Sequence, residues 1–430
     1  MTKMNNNKSM HILNVLSFYS LLFLPLAYIF SATFINIIVI IIAINLLVST
    51  LVFHEYSLFK TNFFKILLIF TIYIFLQSFF LENVSPFKSI SYLRFFLLPL
   101  GIVYLLNNNL SRINFLKYFY LLSVLFVVID IAIQYFTGKD LLGYRADEIN
   151  GFKGPFEYWN SHILQRFAGP FGFDKKAGTF ILFFGIVGYF LNNNLNKNKN
   201  FFYLIFFFPI FVTSIILTGD RAPLIILFIL FVLIIIFENN IRKKATLLFF
   251  ICFLIFSLMF FFSKYTKYRF VTNITEYSIT QKSDNSSISK IKKIIIDNPW
   301  TAHYLTAFEI FKDSPLLGKG IRSFRYECEK YPDIKSSYAN SRCSTHPHNL
   351  FLEILSEVGI VGLILFILIF YEFIKIKKIS YSNNIIFYLL IAFILPVKPT
   401  GAIFSTWFGS LLWLLMGFYY WEINKKKINS

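Results

Sequence analysis

Residues 32–53 read ATFINIIVIIIAINLLVSTLVF, a stretch without a single charged side chain. A helix of about 20 apolar residues is long enough to cross the hydrocarbon core of a bilayer. Similar stretches recur along the chain, which is 57% hydrophobic and only 15% charged. Soluble domains carry about 25% charged residues, so this composition indicates a membrane protein.

The apolar stretches predict an all-α, polytopic membrane fold with about twelve transmembrane helices. Only helices suit them, because backbone polar groups in lipid must be satisfied within each segment. The stretches also lack the alternating pattern typical of barrel strands. They cover approximately residues 12–30, 32–53, 63–81, 90–106, 115–136, 177–193, 201–217, 222–237, 245–263, 350–373, 384–402 and 404–422.

The basic residues predict the orientation of these helices. Lys and Arg concentrate in every second gap and at both ends, and such gaps face the cytoplasm. This topology accounts for the net charge of +19 better than a nucleic-acid partner does. The polar start precedes a full-length apolar run, which predicts a retained first helix rather than a cleaved signal peptide. The residues are Lys3, Lys8, Lys60, Arg112, Lys117, Lys197, Lys199, Arg242, Lys243, Lys244, Lys375, Lys377, Lys378, Lys425, Lys426 and Lys427.

Two gaps on the opposite, extracytoplasmic side are long. The loop 137–176 interrupts the first nine helices (residues 1–263), and residues 264–348 are expected to form a mostly helical loop domain before helices ten to twelve (residues 349–430). Asn298 and Pro299 are a favourable helix start. The apolar residues that follow predict an amphipathic helix over 299–312 at the membrane surface. These residues are Trp300, Tyr304, Ala307, Phe308 and Phe311.

Two cysteines lie in this domain. Cys328 and Cys343 could form a disulfide if the loop is extracytoplasmic, or remain free thiols. Cys252 lies within an apolar run and is expected to be inert.

Residues 343–349, CSTHPHN, carry two histidines and an amide at the point where the large loop meets the tenth helix. A neutral imidazole of His348 or His346 can accept a proton from a hydroxyl group. Asn349 and Glu353 are expected to support these rings, because a carboxylate inside a membrane helix is costly and indicates function. The alternative is that these groups only satisfy the loop-to-helix junction.

Three arginines on the outer side are candidate phosphate ligands. Arg221 ends the tight turn Thr218-Gly219-Asp220-Arg221, where Asp220 could hold it in place. Arg166 precedes the turn at Gly169 and Pro170, and Arg322 follows a glycine-rich turn. Guanidinium groups bind phosphate in a bidentate way. The alternative is a set of solvated basic loops. The spacing of His, Cys, Asp and Glu predicts no metal site, and no cofactor is expected.

These patterns together resemble the O-antigen ligase and polymerase superfamily. His348-Asn349, nine residues and then Gly359-Ile360-Val361-Gly362 is similar to its signature, and Pro315-Leu316-Leu317-Gly318-Lys319-Gly320 to the stretch before it. Thr218 to Arg221 is similar to its outer turn, with Asp220 where many members have Ser. Arg166 to Gly172 resembles its Arg-containing segment before the following helix.

The resemblance implies a metal-independent, inverting glycosyl transfer on the outer face of the bacterial inner membrane. The donor would be a glycan on undecaprenyl pyrophosphate, and the acceptor a sugar hydroxyl of lipid A–core. His348 and Arg221 would be catalytic, and Arg166, Arg221 and Arg322 would bind the pyrophosphate. Membrane lipids are expected around the helices, and nucleic acid is not an expected partner.

Three other functions remain open. An O-antigen polymerase would join lipid-linked repeats, and the His-Asn motif in the second large loop favours the ligase over it. A polysaccharide or lipid transporter should carry charged residues near the centres of several helices, whereas most of these runs have none. A non-catalytic membrane protein would not explain why Arg221 and His348 both lie on the outer side.

Overall fold

The computed structural model describes residues 2–81, 84–145, 166–172, 174, 176–193, 200–267, 269–270, 298–336, 338–377, 385–396 and 399–429. Residues 146–165 of the outer loop lie outside this set, and so do residues 271–297 of the loop domain. Lys175, Lys197, Lys199 and Lys378 also lie outside it.

The described residues form helices without a strand of a sheet, which confirms the all-α class. Each predicted apolar run contains a helix, but the run 384–402 is helical only over Ile385–Ile394, and its later described residues form a loop. The long helices are Thr2–Phe30, Ala32–Phe53, Asn62–Gln77, Leu93–Asn108 after the short Pro86–Ser91, Ile113–Thr137, Ala177–Asn193, Asn200–Leu217, Arg221–Phe237, Arg242–Phe262, Pro299–Asp313, Leu350–Lys377, Ile385–Ile394 and Thr406–Asn429.

The helices have the surface of a membrane protein. Seven spans in the described residues are long and apolar enough to cross a bilayer, and four further apolar helices are shorter. Large apolar side chains such as Phe80, Phe261 and Phe262 are more than three-quarters exposed on the isolated chain. Such a surface is stable only against lipid or another protein. The count of twelve crossings stays a prediction.

The described part of the loop domain is built on one helix, Pro299–Asp313, which we call the surface helix. Its N-terminus is capped as expected, because the Asn298 side chain accepts hydrogen bonds from the backbone of Trp300 and Thr301. Of the predicted apolar residues, Trp300 and Phe308 are exposed on the isolated chain, whereas Ala307 is buried.

The buried face of the surface helix instead carries small and branched residues. Ala307 and Ile310 pack with Phe324 and Cys328 in a separate small core. This happens because the helix lies against Leu350–Lys377 and the turn that follows it. Its placement at the membrane surface stays a prediction.

Cys328 and Cys343 form a disulfide, so the first of the two alternatives holds. The bond joins the turn that follows the surface helix to the segment that carries His346 and His348. Cys252 is buried in the apolar core, as expected.

The helix Leu350–Lys377, which we call the broken helix, is interrupted at Gly359. This residue has φ +65°, outside the helical region. The segment 315–320 fills the gap: the Ile360 N–H donates to Pro315 O at 2.9 Å, and the Gly320 N–H donates to Glu357 O at 2.7 Å. The backbone groups freed by the break are therefore satisfied by protein, as membrane proteins require.

The interlock between these segments requires glycine. A Cβ on Gly359 would lie 2.3 Å from Leu316 O, and one on Gly318 would lie 2.5 Å from the backbone carbon of Glu357. From the third helix, Tyr73 donates to Val358 O at 2.7 Å and Gln77 donates to Glu357 O at 2.9 Å. The two glycine motifs of the sequence are thus one structural unit.

Candidate active site

The turn Thr218–Arg221, which we call the arginine turn, is held by the chain that follows the helix Arg242–Phe262. Gly219 has φ +66°, and a Cβ there would lie 2.6 Å from the Tyr265 hydroxyl and 2.8 Å from Arg269 Nε. Tyr265 donates to Leu217 O at 2.8 Å, and Arg269 Nε donates to Gly219 O at 3.1 Å. Glycine is therefore needed for both the backbone angle and the close approach.

Asp220 brings Arg166 to this turn. The distance from Arg166 Nη1 to Asp220 Oδ1 is 2.6 Å, and the two side chains are 29% and 10% exposed. Asp220 stands at the N-cap of Arg221–Phe237 without a side-chain capping bond, because its carboxylate is used by Arg166. The suggestion from the sequence that Asp220 also holds Arg221 stays a prediction.

Arg221 and Arg269 complete the group. Arg221 Nη2 donates to the backbone oxygen of Arg269 at 2.7 Å, and Arg269 is 6% exposed. The group thus holds three guanidinium groups around one carboxylate, in the part of the chain that the structure describes. We call Arg166, Asp220, Arg221 and Arg269 the arginine group.

This excess of positive charge is poorly solvated. Burial lowers the pKa of Arg166, the charge of Arg269 lowers it further, and Asp220 opposes both effects. Fixed cations in a site with little water interact strongly with a developing anion. The arrangement is therefore suited to an anionic ligand such as a phosphate.

Sequence reasoning missed Arg269. It is an arginine soon after the ninth apolar run, on the side predicted to be outer. Its position on the predicted outer side could have marked Arg269 as a candidate phosphate ligand, but Arg269 belongs to none of the sequence motifs.

Three histidines meet at the second group. It consists of residues 342–349 together with His303, and we call it the histidine strap. The ring centroids of His346 and His348 are 4.1 Å apart, and those of His303 and His348 are 5.3 Å apart. His303 comes from the surface helix and was not predicted. His/Cys/Asp/Glu groupings suited to a metal ion are absent among the described residues.

Backbone carbonyls fix the tautomers of two of these rings. His303 Nδ1 lies 3.0 Å from Arg342 O, and His346 Nε2 lies 3.0 Å from Thr400 O. A carbonyl oxygen only accepts, so both nitrogens carry a proton. Burial lowers the pKa of His346 to about 4 and also lowers the pKa of His303.

His348 differs from the other two rings. Its Nε2 lies 3.3 Å from the hydroxyl oxygen of Ser344, a group that can either donate or accept. Its backbone has φ +58°, which is uncommon for a residue other than glycine, and its carbonyl accepts from the Thr400 N–H at 2.8 Å. Strained backbone of this kind is concentrated at functional sites. His348 is thus the ring of the three that is best suited to exchange a proton with a hydroxyl group.

Asn349 and Glu353 have contacts that explain their positions. Asn349 is an N-cap: its Oδ1 accepts from the N–H groups of Phe351 at 3.0 Å and Leu352 at 3.2 Å. The buried Glu353 carboxylate accepts from the N–H groups of Ile403 at 3.1 Å and Phe404 at 3.4 Å. Glu353 therefore anchors the loop whose Thr400 holds His346 and His348.

Arg322 has φ +63°. Its backbone N–H donates to Glu357 Oε2 at 2.5 Å, while its side chain is exposed. Arg325, which sequence reasoning did not select, donates from Nη2 to Thr345 O at 3.4 Å, beside the histidine strap.

A chain of contacts links the arginine group to the histidine strap. Arg166 and Lys176 both precede the helix Ala177–Asn193 in the chain, and Lys176 Nζ lies 5.7 Å from the ring centre of Trp407. The loop before Trp407 contains Thr400, which binds both His346 and His348. Whether both groups line one cavity stays a prediction.

Comparison with known proteins points to one family. Residues 205–367 match the sequence model of the O-antigen ligase family. A protein of Rickettsia conorii named "Putative polysaccharide ligase" is 31% identical over 116 residues. That similarity covers 23% of this chain and 28% of the relative.

The matched residues 205–367 contain the arginine turn, Arg269, the surface helix, the histidine strap and the break at Gly359, whereas Arg166 lies before them. The match over residues 205–367 confirms the resemblance to the O-antigen ligase superfamily that the motifs carry.

Proposed function

We propose that the protein is a glycosyltransferase of the outer face of the bacterial inner membrane. It transfers an O-antigen-like glycan from undecaprenyl pyrophosphate to a sugar hydroxyl of lipid A–core, with inversion and without a metal ion. The observation that carries the proposal is the cluster of Arg166, Arg221 and Arg269 around a single carboxylate, at loops linked to the histidine strap.

The arginine group supports the departure of the leaving group. When the bond between the sugar anomeric carbon and the pyrophosphate oxygen breaks, negative charge grows on the phosphate. Guanidinium groups already fixed by Asp220, Gly219 O and Arg269 O need no reorganisation to meet that charge. Preorganised stabilisation of this kind commonly lowers the reaction barrier more than any other effect in an enzyme. It also supports the proposed independence from a metal ion.

His348 serves as the general base. The acceptor hydroxyl oxygen forms the new bond to the anomeric carbon, and its proton passes to an unprotonated ring nitrogen of His348. Attack from the face opposite the pyrophosphate inverts the configuration. His346 and His303 keep their protons on nitrogens that bind carbonyls, so they position His348 rather than replace it.

Two features support the proposed orientation. Disulfides persist in oxidising compartments such as the bacterial periplasm, and Cys328–Cys343 lies beside the histidine strap. The basic gaps predict that the opposite ends of the helices face the cytoplasm. Both arguments support a position of the strap on the periplasmic side.

Gene deletion and complementation test the proposal and its nearest alternative. In the deletion strain, lipid-linked polymer that accumulates without reaching lipid A on lipopolysaccharide gels supports the ligase. Loss of chain length, with single repeats left on lipid A, would instead assign the protein as the polymerase.

Complementation with variants tests the site. Arg221→Ala and His348→Ala are expected to give no transfer while the protein still accumulates in the membrane. Arg242→Ala, which removes an exposed arginine from the predicted cytoplasmic side, is the matched control and should restore transfer. Normal transfer by either site variant would contradict the proposed role of that residue.

A further inference from the structure

We propose that the Thr400 hydroxyl binds a hydroxyl group of the acceptor sugar, next to the hydroxyl that reacts. The proposal rests on the proposed function, because it takes His348 as the base that receives the proton of the reacting hydroxyl. It adds to that function a contact that selects and orients the acceptor.

Thr400 is joined to the histidine strap through its backbone. Its N–H donates to His348 O at 2.8 Å, and its carbonyl oxygen accepts from His346 Nε2 at 3.0 Å. The Cα atom that carries the Thr400 side chain stands between these two backbone groups. The side chain therefore starts beside the residues that carry both rings.

The hydroxyl group of Thr400 takes no part in these contacts. Thr400 is 6% exposed, and its Oγ1 has no hydrogen-bond partner in the part of the chain that the structure describes. A buried hydroxyl without a partner lowers the stability of a fold, and most buried polar groups are paired. Valine would make the same two strap contacts, since they use only the N–H and the carbonyl that every residue except proline has. The contacts of the loop therefore do not explain the hydroxyl.

The loop that carries Thr400 is held from two sides. The Glu353 carboxylate of the broken helix accepts from the N–H groups of Ile403 and Phe404, and Tyr92 donates to Ile403 O. A side chain on a firmly held backbone can orient a ligand precisely. The support of Thr400 is therefore suited to a binding role.

The surroundings of Thr400 are open to a ligand of the strap. His346 and His348 are partly exposed, and so are Pro399 and Gly401 on either side of Thr400. Rotation of the Thr400 side chain between the staggered positions of χ1 turns the hydroxyl within this rim. A sugar that reaches His348 would therefore come within reach of the hydroxyl.

The chemistry of the transfer indicates which hydroxyl of the sugar Thr400 binds. The reacting hydroxyl gives its only proton to His348, and its oxygen uses a lone pair to attack the anomeric carbon. A hydrogen bond donated to that oxygen by Thr400 would compete for the lone pair. A hydroxyl on a neighbouring carbon has no such role, and it can donate to or accept from threonine. The contact would discriminate between sugars, because one that lacks this hydroxyl would leave Thr400 unpaired.

The variant Thr400→Val tests the proposal, because it keeps the shape and the backbone contacts and removes the hydroxyl. The full-length protein is placed in nanodiscs of zwitterionic lipid, and its affinity is measured for lipid A–core purified from the deletion strain. Thr400→Val should bind this glycolipid about fivefold more weakly, the effect of one hydrogen bond. Its Tm should stay the same or rise, because a buried unpaired group is removed. A residue with only a structural role would not combine weaker binding with undiminished stability.

The controls separate the hydroxyl from the rest of the side chain. Thr400→Ser retains a hydroxyl and should recover most of the affinity. Ser17→Ala removes another buried hydroxyl that is unpaired among the described residues, in the first helix Thr2–Phe30, and should leave the affinity unchanged. In transfer assays, Thr400→Val should raise the acceptor KM and leave the donor KM as it is.

Three results would overturn the assignment. The first is wild-type affinity in Thr400→Val, and the second is an equal loss of affinity in Thr400→Ser. The third is a lower Tm in Thr400→Val, which would show that the hydroxyl is paired within the fold. Because binding is measured without transfer, the two proposals fail separately. A wild type that binds lipid A–core but transfers no glycan would contradict the proposed function and leave the Thr400 contact standing.

Discussion

The arginine group and the histidine strap reach their geometry by opposite means. The arginine group concentrates charge, and its cations are held by one carboxylate and by the backbone oxygens of Gly219 and Arg269. The strap carries little charge: burial lowers the pKa of two of its three rings, although their carbonyl acceptors oppose this effect. A disulfide anchors its start.

The difference matches the two demands of glycosyl transfer. Charge that develops on a leaving pyrophosphate needs fixed cations, whereas a proton acceptor must remain uncharged until the hydroxyl arrives. Keeping the rings of the strap neutral also avoids repulsion with nearby Arg325, whose charge further lowers the pKa of His346. We therefore expect substitutions in the two regions to have different kinetic effects.

The largest expected effect is on the kinetic constants, which should distinguish the general base His348 from the phosphate ligand Arg166. His348→Ala should lower kcat by about 10²- to 10⁴-fold, the usual contribution of a general base, and leave the KM for the donor nearly unchanged. Arg166→Gln should raise the donor KM as well, because its cation meets the pyrophosphate before and during bond cleavage. Initial rates of the purified protein at varied donor concentration distinguish the two patterns. Equal kinetic changes in both variants would remove the distinction between the regions.

The disulfide should matter for the strap and not for the arginine group. Removing a bridge across about 15 residues costs about 3 kcal/mol in the free energy of unfolding. The double variant Cys328→Ser and Cys343→Ser should therefore lower the Tm, and limited proteolysis should cut first in the loop domain. The control Cys252→Ser removes the buried third thiol from the apolar core, away from the loop domain. Cleavage that begins at the arginine turn would contradict the comparison.

A glycine pair tests how tightly the arginine turn is packed. Gly219 and Gly143 both have positive φ, so alanine at either site should cost about 1–2 kcal/mol from backbone strain alone. A Cβ on Gly219 would also collide with Tyr265 and Arg269, whereas one on Gly143 meets nothing within 4 Å. Gly219→Ala should therefore lower the Tm and the transfer rate more than Gly143→Ala. Equal effects would mean that Tyr265 and Arg269 do not hold the turn.

The smallest effect is a pH dependence of stability. An unfolded chain protonates His346 near pH 6.5, but the folded strap keeps it neutral down to about pH 4. The unfolded state thus binds more protons between these values, so the free energy of unfolding falls as the pH drops through this window, by at most about 1.4 kcal/mol per unit. Tm measurements from pH 4 to 7.5 should show this slope, and His346→Gln should reduce it. An unchanged slope in the variant would show that another group is responsible.

The sequence predicted most of the fold because lipid imposes a simple rule on every apolar run. Runs such as 32–53 have to be helices, and the structure agrees for them, whereas the run 384–402 is helical only as far as Ile394. The outward faces of the surface helix were harder to predict. Helical periodicity identified the apolar residues, but it did not specify that Ala307 and Ile310 pack in the small core while Trp300 and Phe308 stay exposed.

The site was predictable where a motif placed residues close together in the chain. His346, His348 and Asn349 are neighbours in sequence, as are Asp220 and Arg221. Contacts between distant segments could not be derived from spacing. Asp220 binds Arg166 from 54 residues away, and His303 reaches His348 from another helix. Such pairings follow from tertiary packing, which a single sequence does not specify.

The interruption at Gly359 has a consequence for engineering this protein. The backbone of residues 315–320 completes the hydrogen bonds of residues 356–361. These two stretches are therefore one structural unit, although they are separate in the sequence. A chimaera that exchanges the loop domain has to carry both stretches from the same parent. A graft ending between them would leave unsatisfied amide groups of one parent facing the glycines of the other.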